Sequence, residues 1–87
     1  MMYRVVLLPK AEKAFSRADT HLARKLAGAF ESLEADPLRH RNIKPLTGPL
    51  KGLFRLRAGD YRILYQIDAG TKTVYVVRIA HRKEAYQ

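Results

Sequence analysis

The 87-residue sequence contains no cysteine and no tryptophan, and only 8 acidic residues stand against 17 lysines and arginines. Without cysteine there is no disulfide staple, no thiolate nucleophile and no cysteine-ligated zinc. No apolar run approaches the roughly 20 residues needed to span a bilayer. The N-terminal MMYRVVLLPK also lacks a small-residue cleavage site, so a cytoplasmic protein with no membrane contact is expected. The shortage of carboxylates leaves a formal net charge of +9. Residues 1–37 hold six basic and five acidic groups, whereas residues 38–87 hold eleven and three. Charge that serves only solubility mixes its signs along a chain. An excess confined to one half points to a polyanionic partner, with nucleic acid ahead of a membrane surface.

With 47% hydrophobic residues the chain can bury enough surface to fold, and its length suits one domain over residues 1–87. Tyr3 to Leu8 is a β-branched and aliphatic run closed by Pro9, which reads as a first strand. Pro9 then suits the first turn of a short helix carrying Ala11, Ala14, Phe15 and Ala18 at helical spacing. Asp19 or Thr20 can cap a second helix. Leu22, Leu26, Ala29, Phe30 and Leu33 make its apolar stripe until Asp36-Pro37 stops it. Leu38 to Pro49 reads as a basic loop. Phe54–Arg57, Tyr61–Ile67 and Thr73–Ile79 follow as a three-stranded meander, turning at Gly59-Asp60 and Ala69-Gly70. His81 to Gln87 is a short polar ending, either a helical turn or an extended tail. The order β-α-α-β-β-β predicts an α+β fold: a small, antiparallel-rich sheet with a helical hairpin packed on one face.

Strand alternation sends Arg55 and Arg57 to one side together, and Arg62 shares its side with Leu64 and Gln66. If the register joins those sides, three guanidiniums line one sheet face. The same period-two reading places Arg78 with Val74 and Val76. Tyr61 and Tyr65 share a side with Ile63 and Ile67, which suits a core-facing position. Arg39, Arg41, Lys44, Lys51, Arg78 and Lys83 are further candidates for phosphate contact.

The sequence has no phosphate-cradling glycine loop, no serine nucleophile motif and no metal-ligand spacing. His21, His40 and His81 are far apart in sequence. No metal or cofactor is expected. Arginine grips a phosphate at two points and stabilises developing negative charge, but its pKa above about 12 makes it a poor base. Proton removal then falls to Tyr86, His81 or Lys51, with Tyr61 and Tyr65 less suited. Guanidiniums around a tyrosine favour its phenolate. Such a set fits RNA cleavage in which the substrate's own 2′-hydroxyl attacks the adjacent phosphate.

The stretches LTGPLKGLFRLRAGDYRILYQI and IAHRKEAY, with YRVVLLPKAEKAF and SLEADP before them, resemble the RelE/ParE superfamily of toxin–antitoxin toxins over nearly the whole chain. The RelE branch comprises endoribonucleases that cut messenger RNA in the ribosomal decoding site without a metal. The resemblance implies phosphate binding and charge stabilisation by Arg55, Arg57, Arg62 and Arg82. Tyr86 becomes the candidate base, with His81 as an alternative acid or base. It also implies a cognate antitoxin whose acidic or amphipathic helices cover the toxin in a hetero-oligomer, and contacts to mRNA on the ribosome and to ribosomal RNA. Leu53 stands where the RelE pattern has a lysine, with Lys51 shifted along, and the interval from Arg82 to Tyr86 is shorter. The ParE branch shares the fold and inhibits DNA gyrase. It is the alternative function, and a catalytically weak RNA- or ribosome-binding module, keeping the basic face without an effective base, is a third.

Overall fold

The computed structural model describes residues 2–84. β1 (Arg4–Leu7) leads into α1 (Pro9–Ser16), with Pro9 in the first turn, where a missing N–H costs nothing. α2 (Thr20–Ala35) is capped by Asp19, whose carboxylate accepts the Leu22 amide at 2.8 Å. β2 (Ile43–Pro45), β3 (Phe54–Ala58), β4 (Tyr61–Asp68) and β5 (Thr73–His81) complete the sheet. Single 3-10 turns occupy Gly48–Leu50 and Arg82–Glu84.

The strand order is β1-β5-β4-β3-β2. β1 runs parallel to β5 at one edge, and the other pairs are antiparallel, so the α+β expectation is met by two helices on a five-stranded mixed sheet. One strand lies inside the segment read as loop. β2 has three residues, one of them Pro45, and among the described residues pairs only with β3, so it offers almost no alternation to read.

The core lies between the helices and one sheet face. Leu26 and Leu33 of α2 are fully buried, as are Ala11 of α1 and Ile63, Tyr65, Val74 and Val76 of the central strands. Each buried leucine contributes about 1.5–3 kcal/mol of hydrophobic burial, and Leu33→Ala should cost about 2–5 kcal/mol. Phe15 and Phe30 join the two helices edge to face at 5.5 Å. Tyr65 donates its hydroxyl to the Pro37 carbonyl at 2.7 Å, fastening the chain just beyond α2 to the centre of the sheet. Among the described residues, no helix is long and apolar enough to cross a membrane.

Candidate functional site

The sheet face turned away from the helices carries the arginines. Arg57 pairs with Arg62, and Arg55 with Leu64, so the register joins the two basic sides. Lys44 of β2 lies opposite Arg55, and Arg78 of β5 opposite Leu64. One row across four strands therefore reads Lys44, Arg55, Leu64, Arg78. Leu64 and Ala80 are 3% and 2% exposed although both lie outside the helix-facing core. The register sets Leu64 between Arg55 and Arg78, two long side chains of the kind that can lay their stems along apolar surface while their heads stay in water.

Arg78 reaches this face by a route the period-two reading does not contain. The β4–β5 register shifts between Leu64 and Tyr65, leaving Val77 as an extra residue. Val74 and Val76 are buried in the core, whereas Arg78 is exposed on the opposite face. The placement of Arg78 with those valines is corrected accordingly.

At the end of the sheet an open pocket of about 780 Å³ is lined by Arg41, Asn42, Arg57, Gly59, Asp60, Arg62 and Arg82. Four guanidiniums thus border one concavity. Much of it is built on the two-residue turn between β3 and β4. Gly59, at a positive φ of 62°, holds the first turn position, where a glycine is favoured. The Gly59 carbonyl accepts Arg62 Nη1 at 3.3 Å, and the same nitrogen donates to the Tyr61 carbonyl at 3.2 Å. The Asp60 carbonyl accepts the Arg82 amide at 2.7 Å. The Asp60 carboxylate lies 3.9 Å from Arg82 Nε, with both side chains well exposed, so this ion pair orients more than it stabilises. From the other side, Asn42 Oδ1 accepts Arg57 Nη2 at 3.5 Å, and the Asn42 amide donates to His40 Nδ1 at 3.0 Å.

Asn42 and Asp60 are the pocket residues that sequence reasoning missed. The signal for Asp60 was present, since it is the lone carboxylate of RLRAGDYR. Asn42 had none, because its pairing with Arg57 spans fifteen positions.

The other candidates are spread more widely. Arg55 sits beside the pocket on the open face, with its Nε buried and, among the described residues, without a hydrogen-bond partner. Lys44 lies on the edge strand. Arg39 is exposed after α2, where its amide and that of Leu38 bond the Asp36 carboxylate at 3.1 and 2.9 Å. Lys51 is exposed beyond the first 3-10 turn, and Lys83 is exposed on the second. His81 pairs with Tyr61 and packs edge to face against its ring at 5.1 Å. By alternation it shares the helix side with Ile79, away from Arg57 and Arg62, and its Nδ1 accepts the Lys83 amide at 3.1 Å. Tyr86 lies outside the described residues. Tyr65 is excluded as a base: burial raises its pKa above the ordinary tyrosine range, and its hydroxyl is committed to Pro37.

The family model described as the ParE toxin of the type II toxin–antitoxin system parDE matches residues 5–86. Toxin RelE of Mycobacterium tuberculosis is 36% identical over 88 residues, covering 98% of this chain and 87% of the relative. Toxin RelG of the same organism is 40% identical over 78 residues, covering 83% and 87%. In the solved toxin–antitoxin complex RelBE2 from M. tuberculosis, a chain 35% identical superposes with a TM-score of 0.82, covering 94% of this chain and 100% of that one. The chain belongs to the RelE/ParE family of toxins of type II toxin–antitoxin systems.

Proposed function

We propose that the protein is a ribosome-dependent endoribonuclease that cleaves mRNA without a metal. The observation that carries this reading is the convergence of Arg41, Arg57, Arg62 and Arg82 on one open pocket. In the reaction the 2′-oxygen bonds to the adjacent phosphorus and the bond to the 5′-oxygen breaks. A 2′,3′-cyclic phosphate and a 5′-hydroxyl result. One proton leaves the 2′-hydroxyl and one reaches the departing oxygen. Negative charge grows on the phosphoryl oxygens in the transition state, where fixed guanidiniums act most strongly. Arg57, Arg62 and Arg82 hold that phosphate, with Arg55 beside them, and Arg41 takes a flanking one. Asn42 and Asp60 position Arg57 and Arg82. Tyr86 is the proposed base, because His81 sits on the helix side of the sheet and its Nδ1 is already bonded.

A cognate antitoxin is the proposed protein partner, as in the RelBE2 complex, and acidic or amphipathic helices match the basic face. The proposed cytoplasmic location follows from the ribosomal target. The family model's own description, ParE, supports gyrase inhibition as the second reading.

Primer extension on mRNA translated in a purified system, run beside a gyrase supercoiling assay, separates the two. Ribosome-phased cuts that need the chain are expected. Gyrase inhibition without cuts would sink the nuclease reading.

A further inference from the structure

We propose that the end of the open sheet face remote from the arginine pocket is a nucleobase subsite, in which an unpaired RNA base stacks on Tyr75 and is hydrogen-bonded by Gln66. The proposal rests on the RNA-cleavage reading for its ligand and adds a second contact point to it. Along β4 and β5 the pairs on the open face run in order: Arg62 with Ala80, Leu64 with Arg78, then Gln66 with Tyr75. Tyr75 is also paired with Val6 of β1, so its ring stands between strands in the interior of the face. Gln66, Ile67, Asp68, Ala69 and Tyr75 line an open pocket of about 360 Å³ there, large enough for a base.

Chemistry selects the occupant. An aromatic ring on an exposed sheet face, next to guanidiniums, is the arrangement on which single-stranded bases stack, because every base offers a π-face and its backbone needs cations. Gln66 is exposed and supplies both a donor and an acceptor for a base edge. Asp68, the one carboxylate lining this pocket among the described residues, is turned to its own loop, where Oδ1 accepts the Gly70 and Thr71 amides at 3.1 and 3.3 Å. Arg78 lies one open-face pair away from Tyr75 and supplies the phosphate contact between the two pockets. Gln66 lies four positions along β4 from Arg62, about 13 Å at the usual strand rise, a span a few nucleotides bridge.

The test is equilibrium binding of the full-length chain, freed of protein partners, to a fluorescent hexauridylate and to the same sugar–phosphate oligomer without bases. The wild type should prefer the oligomer with bases. Tyr75→Ala, checked by thermal melting, should weaken hexauridylate about tenfold and leave the abasic oligomer unchanged. Tyr75→Phe keeps the ring and should bind as wild type. Gln66→Ala, at an exposed position and checked by the same melting, should lose severalfold on hexauridylate alone. The proposal is overturned by no preference for bases, by unchanged affinity in Tyr75→Ala or Gln66→Ala, or by an equal loss on both oligomers. It is overturned likewise if Tyr75→Ala weakens only an antitoxin complex, which would assign the surface to protein. No arm involves cleavage. A chain that cuts no mRNA but shows the Tyr75 dependence loses the nuclease reading and keeps the subsite, and one that cuts normally without that dependence does the reverse.

Discussion

Arg57 and Arg62 lie directly opposite each other across the β3–β4 pair, two like charges where a sheet built for stability would place opposite ones. Like charges in this position destabilise a sheet by a few tenths of a kcal/mol. A bound phosphate removes the repulsion, so the same pair that weakens the free protein attracts an anion. Arg57→Gln should therefore raise stability by about 0.3–0.5 kcal/mol at low salt while reducing cleavage. Denaturant unfolding at two salt concentrations checks it. The gain should shrink in high salt as the repulsion is screened, and a destabilised variant would mean that the Asn42 contact outweighs the repulsion.

Arg62→Ala and Arg82→Ala should each lower single-turnover cleavage about 10²- to 10³-fold, since both are assigned to charge that develops in the transition state. Neither is in the helix-facing core, so the melting temperature should move little. Ribosome-bound single-turnover assays on variants with wild-type melting curves read this directly. A variant that cuts at the wild-type rate removes its arginine from the phosphate site.

Long periodic segments were readable because burial imposes them. The α2 stripe ends in the fully buried Leu26 and Leu33, and the Arg55, Arg57 and Arg62 alternation meets across one register. What was not readable depended on pairing. β2 exists because β3 offers an edge, since its own residues carry little strand pattern. Val77 shows the same limit: one unpaired residue reverses the side on which everything after it falls, and nothing in TVYVVRIA marks where the slip occurs. Arg41 and Asn42 enter the pocket only because that edge strand folds back beside Arg57.

Tyr65 should behave as a fastener with no part in catalysis. Tyr65→Phe deletes its bond to the Pro37 carbonyl and should cost about 1–2 kcal/mol, with cleavage unchanged when assayed well below the melting temperature. Its pH dependence has a definite sign. Burial raises the folded pKa above the unfolded value of 10.0, so the contribution is fully present below about pH 10 and is lost as the pH climbs toward the folded value. Chemical denaturation at alkaline pH should show wild type losing stability relative to Tyr65→Phe. Parallel curves would place the loss elsewhere.

Gly59 carries two loads, and they can be told apart. A Cβ at this position would lie 2.7 Å from Lys25 Nζ, but that atom ends a flexible side chain and can move aside. The backbone at φ 62° cannot be relieved so easily, and a left-handed non-glycine residue costs about 1–2 kcal/mol. Gly59→Ala should therefore lose about that much stability, and adding Lys25→Ala should restore little of it. Because the Gly59 and Asp60 carbonyls hold Arg62 and the Arg82 backbone, cleavage should fall further than the unfolded fraction explains. Single-turnover rates at a temperature where both variants are folded supply the comparison. Full recovery in the double variant would make the defect a clash, whereas a persistent rate loss at restored stability would tie the turn to the geometry of the arginine pocket.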